Sequence, residues 1–77
     1  MIDADRIRLR RLELRLSQKR LGALIGQDQA YISRLERGQF TEITVSTLER
    51  LARALHVNVE ALLKPDDDSE HIPAAVA

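Results

Sequence analysis

"SQKRLGALIGQDQAYISRLERG", residues 17–38, decides the fold. Two short runs with apolar residues at helical spacing flank the break "GQD" at 26–28. Ser17 and Asp28 each precede a run, and both are residue types that accept N–H groups at the start of a helix. Gly26 stands where the first run ends, and glycine enters the left-handed conformation of a helix end at little cost. Leu21 and Ile25 give the first run an inner face, and Ile32 and Leu35 do so for the second. Gly22 falls where the two helices would cross most closely, and a residue larger than Ala there would push them apart. The pattern predicts helices over 18–25 and 29–37 joined by a tight turn. On these features alone, two readings stay open. One is a helix-turn-helix, whose second helix lies in a DNA major groove; the other is a helical hairpin with no external role.

Outward from this hairpin the helical signal continues. A first helix is expected from Asp3 or Ala4 to Leu14, with Asp3 as its N-cap and Ile7, Leu9, Leu12, Leu14 and Leu16 apolar. After a loop "QFTEITV" at 39–45, Ser46 with Glu49 three residues later has the spacing of a capping box. It is expected to open a fourth helix whose core face holds Leu48, Leu51, Ala52 and Leu55. Asn58 is expected to cap a short fifth helix carrying Val59, Leu62 and Leu63, with Pro65 after its end. Beyond it, "PDDDSEHIPAAVA" has little to bury and is expected to stay disordered. The chain thus divides into an all-α, five-helix body over 1–64 and an acidic tail over 65–77.

The chain has 77 residues, enough for one small core, and no cysteine. It contains neither an apolar run long enough to span a bilayer nor the apolar core of a signal peptide, which predicts no membrane association and a cytoplasmic protein. Its net charge of zero conceals an asymmetry. Residues 1–64 hold twelve Lys/Arg and eight Asp/Glu, a net of +4, while Asp66, Asp67, Asp68 and Glu70 make the tail acidic. A basic body suits a polyanionic partner. His56 and His71 stand alone, without partners at metal or triad spacing, so no enzyme, metal or cofactor is expected.

"LSQ" at 16–18, "ISRLERG" at 32–38 and "LARALHV" at 51–57, within the span 6–63, resemble the Cro/repressor-type helix-turn-helix family, also called the XRE family. The resemblance implies a lambda-repressor-like DNA-binding domain that binds operator DNA as a symmetric dimer. It also implies that Arg11 and Glu36 form a largely buried ion pair fixing the angle of the third, reading helix. The sequence departs from the family at Arg15, where Gly or another turn former is usual after the first helix, at His56, where Gly is common after the fourth, and at Gln27, which replaces an apolar residue in the turn. Glu42 lies in a loop where many relatives carry basic residues.

With Ile32 and Leu35 turned inward, the outer face of the third helix carries Gln29, Ala30, Ser33 and Arg34. The resemblance makes Gln29, Ala30 and Arg34 the positions that choose the base sequence. Their chemistry suits base edges: an amide for adenine, a methyl for thymine and a guanidinium fork for guanine. Gln18 matches a family residue that holds backbone phosphate, aided by the N–H groups of a helix start. Lys19, Arg20, Tyr31 and Arg37 are expected as further backbone contacts. Arg6, Arg8, Arg10 and Arg15 read equally well as a solvated face. Val57, Val59, Leu62 and Leu63 carry more apolar surface than one short helix needs and are expected to form a homodimer interface, the alternative being that they simply close a small core. The rival reading is a protein-interaction module, an antitoxin or coactivator, with a protein partner held through the acidic tail.

Overall fold

The computed structural model describes residues 1–40 and 42–64. Four α-helices follow in order, α1 (Ala4–Glu13), α2 (Gln18–Leu24), α3 (Gln29–Glu36) and α4 (Val45–Ala54), and then a 3₁₀ turn, Val59–Leu62. All four begin alike. Asp3, Ser17, Asp28 and Thr44 adopt extended backbone, and their side-chain oxygens accept the N–H of Arg6, Arg20, Tyr31 and Thr47. Each cap satisfies a donor that has no partner inside its helix.

All four also end alike. Past each C-cap the first N–H returns to a carbonyl three residues back and the next N–H to one five back, a Schellman closure. Arg15 and Leu16 bond Leu12 and Arg11; Gly26 and Gln27 bond Ala23 and Gly22; Gly38 and Gln39 bond Leu35 and Arg34; His56 and Val57 bond Arg53 and Ala52. The closure requires a left-handed residue. Gly26 and Gly38 supply it at φ +78° and +77°, and Arg15 and His56 supply it at +58° each. The two departures from glycine therefore leave the turns intact, with the strain carried by side-chain-bearing residues.

Three expectations are corrected. The fourth helix starts at Val45, capped by Thr44, not at a capping box on Ser46 and Glu49. Thr44 also donates its hydroxyl to that of Thr47 at 2.9 Å, so two threonines close the helix start between themselves. The fifth element is a single 3₁₀ turn, and Asn58 makes no side-chain cap bond. The turn stops at Leu62 because Leu63 is extended and bridges Ile2, and Lys64 bonds Met1. The third correction concerns Gly22. A Cβ there would stand 2.7 Å from the Asp28 carbonyl oxygen, so even alanine crowds the entry to α3. The expectation of disorder over 65–77 lies outside the described residues.

The core is formed by Ile7, Leu21, Ile25, Ile32, Leu35, Leu51, Leu55 and Leu62, all fully buried, joined by Ile2 and Ala52. It draws on every helix, whereas Leu9 and Leu12 of α1 are exposed. Residues 1–3 and 62–64 are also drawn together. Asp3 donates its N–H to Leu62 at 2.8 Å, Lys64 donates to Met1 at 2.8 Å, and Ile2 pairs with Leu63 in an isolated antiparallel bridge. Among the described residues, no helix is long and apolar enough to cross a membrane.

Candidate nucleic-acid interface

The scaffold behind α3 is polar as well as apolar. Arg11 on α1 reaches across to Glu36 at the end of α3 and holds it with two bonds, Nε to Oε2 at 2.6 Å and Nη2 to Oε1 at 3.0 Å. The Arg11 and Glu36 side chains are only 10% and 3% exposed. This fork-on-fork geometry fixes direction as well as distance. Arg11 also donates Nη1 to the Leu16 carbonyl at 2.7 Å, which ties the link after α1 to the same group.

Gln18 joins the pair. Its Nε2 donates to Glu36 Oε1 at 3.1 Å, so one amide hydrogen is engaged and the second is left for another acceptor. One carboxylate thus gathers α1, the start of α2 and the end of α3. No buried side-chain polar atom among the described residues lacks a partner.

In front of this scaffold, Gln29, Ala30 and Arg34 are exposed on α3, as are Arg37 just past its end and Lys19 and Arg20 on α2. Ser33 is half-buried, and its hydroxyl accepts a bond from Arg37 Nη1. Tyr31 is half-buried too. Its ring meets that of Phe40, centroid to centroid 5.0 Å and tilted by 34°. Burial pushes the Tyr31 phenol above the ordinary tyrosine value of 10.0, against an opposing pull from the Arg34 charge.

Arg10 is half-buried and tied to the fold, not simply part of a solvated face. Its Nε donates to the Leu55 carbonyl at 2.8 Å and its Nη1 pairs with Glu13. Among the residues expected at a dimer interface, Val57, Val59 and Leu63 are half-buried. Leu62 is a correction: it is 0% exposed and closes the core of its own protomer, so it has no surface to offer a partner.

Two features of the site escaped the sequence. The Gln18–Glu36 bond joins residues eighteen apart and carries no local signature. Phe40 is the single phenylalanine of the chain, set in a polar loop directly after α3, and that isolation was its one available signal. Among the described residues, no group of three or more His, Asp or Glu could hold a metal ion.

This arrangement has known counterparts. The chain is 41% identical, over 69 residues, to y4dJ, an uncharacterised HTH-type transcriptional regulator of Sinorhizobium fredii; the match covers 90% of this chain and 87% of that protein. Its fold is similar to the P22 c2 repressor in complex with a synthetic operator, with a TM-score of 0.76 and 36% identity over 86% of this chain and 98% of that one. It is similar also to SinR, a master regulator for biofilm formation, in complex with DNA; there the TM-score is 0.74, with 31% identity over 79% of this chain and 100% of that one. Residues 7–62, from the core isoleucine of α1 to the last residue of the 3₁₀ turn, match the helix-turn-helix family itself, and the chain belongs to that family, of the Cro/repressor or XRE type.

Proposed function

We propose that the protein is a sequence-specific transcriptional regulator that binds double-stranded DNA with α3 in the major groove. The observation that carries this reading is the division of α3 into two faces. Ile32, Leu35 and Glu36 lock it to the body, while Gln29, Ala30 and Arg34 are exposed and hold base-reading chemistry. The operator complex of the P22 c2 repressor, alike over nearly all of its own length, supports the same use of the fold.

In this reading Gln29, Ala30, Ser33 and Arg34 face base edges, and Arg34 reads a guanine. Gln18, Lys19, Arg20, Tyr31 and Arg37 hold the backbone, Gln18 through the amide hydrogen that Glu36 leaves free. The Arg11–Glu36 pair sets the angle of α3. Two copies pair through Val57, Val59 and Leu63, which puts their α3 helices about 34 Å apart, one turn of DNA. The operator is then a pseudo-palindrome with half-site centres roughly 10 base pairs apart. The protein acts in the cytoplasm by occupying that site, without catalysis.

Selection from random duplexes tests this directly. Enrichment of a two-fold symmetric sequence is the expected result. Retention of all sequences alike would overturn the reading and return the chain to the class of protein-interaction modules.

A further inference from the structure

Arg34 is exposed, yet its guanidinium has a fixed neighbour. Its Cζ lies over the Phe40 ring, 5.6 Å from the centroid. The Phe40 ring in turn meets Tyr31, and both rings pack against the core. The two ion pairs among the described residues are Arg10–Glu13 and Arg11–Glu36, so no carboxylate among those residues competes for Arg34.

A guanidinium offers two distinct parts to its surroundings. An aromatic ring attracts the flat face of the cation through its quadrupole. The N–H donors point outward in the guanidinium plane, and it is this edge that a guanine engages in a bidentate contact. Attraction of the Arg34 cation to Phe40 by its face would leave the reading edge free and reduce the rotamer freedom lost on binding. A carboxylate partner would instead occupy that edge.

We infer that Phe40 is a specificity-determining positioning residue, a platform that aims Arg34 at its base pair, with Tyr31 bracing the platform from behind. The inference rests on the DNA-binding reading above, and it assigns Phe40 no contact with DNA. A contact of this kind at an exposed site corresponds to roughly a two- to five-fold effect on the binding constant.

The experiment compares the wild type with Phe40→Leu and Phe40→Tyr, each also in an Arg34→Ala background. Binding is measured on the selected site, on a site changed at the Arg34 base pair, and on a scrambled duplex. Phe40→Leu should lower the preference for the correct base pair about two- to five-fold, with scrambled binding and its salt dependence unchanged. Phe40→Tyr should keep the preference, and Phe40→Leu should change nothing once Arg34 is alanine. In the free protein, NMR should show the Arg34 side-chain protons displaced by the ring current, and Phe40→Leu should abolish that displacement. Equal weakening on all duplexes would make Phe40 merely structural and overturn the inference. So would a wild type without the ring-current displacement, whatever its DNA binding. A wild type that shows the displacement but prefers no duplex would instead sink the DNA-binding reading and the inference with it.

Discussion

Glu36 shows how much one side chain can organise. Its carboxylate accepts from Arg11 twice and from Gln18 once while almost fully buried. Removing one member strands the other in a low-dielectric site, which typically costs about 3–5 kcal/mol. Arg11→Ala or Glu36→Ala should therefore lower the urea midpoint sharply. The double replacement Arg11→Met with Glu36→Leu should cost less than either alone, because it leaves no orphaned charge. Equal or additive losses would show that the pair matters through packing rather than charge. Tyr31 gives a second test at this scale. Its phenol is held above 10.0 by burial, so as pH rises past that value the unfolded chain ionises first and folding stability falls. The loss is complete only once the phenol ionises in the folded protein. With a single tyrosine and no tryptophan in the chain, phenolate absorbance reads this group alone. The folded midpoint should lie above that of the urea-unfolded chain.

Helix boundaries were legible in the sequence wherever they depend on a residue and its near neighbours. Asp3, Ser17 and Asp28 each cap through one oxygen and one N–H three residues away, and Gly26 and Gly38 mark their turns by lacking a Cβ. The start of α4 was harder to read because Thr44 with Thr47 and Ser46 with Glu49 are rival caps. Both place Leu51, Ala52 and Leu55 on the same buried face, so the apolar pattern cannot choose between them. Which of Leu62 and Leu63 closes the core was not legible either: a lone 3₁₀ turn offers no periodicity to follow. The four matching helix ends provide their own test. Left-handed backbone costs a residue with a Cβ about 1–2 kcal/mol, while glycine's extra freedom when unfolded offsets roughly 0.5–1 kcal/mol of the relief. Arg15→Gly and His56→Gly should each stabilise the fold by about 0.5–1 kcal/mol in urea unfolding. Gly38→Ala should do the reverse, although a Cβ there meets nothing within 4 Å. If the arginine and histidine variants lose stability, their side chains have roles beyond the turn.

Over the whole molecule, the adjacent leucines Leu62 and Leu63 separate folding from association. Leu62 is sealed in the core and Leu63 is half-buried beside it. Leu62→Asp should abolish the helical spectrum. Leu63→Asp should keep it, halve the sedimenting mass of a dimer and weaken binding to a full operator more than to a half-site. A wild type that sediments as a monomer at tens of micromolar and binds a half-site at full affinity would remove the dimer from the account. The main-chain bonds between Met1–Asp3 and Leu62–Lys64 have a consequence for anyone who alters this chain. They make the body a closed loop of backbone, in which the first residue and the sixty-fourth emerge from one edge. Met1 and Lys64 there line a groove with Gly38 and Phe40. A fusion partner attached before Met1 thus starts beside the platform under Arg34, close to the face proposed to meet DNA. Joining residue 1 to residue 64 and reopening the chain in the loop after α3 would leave every helix intact but set the new termini beside Gly38 and Phe40, at that same groove.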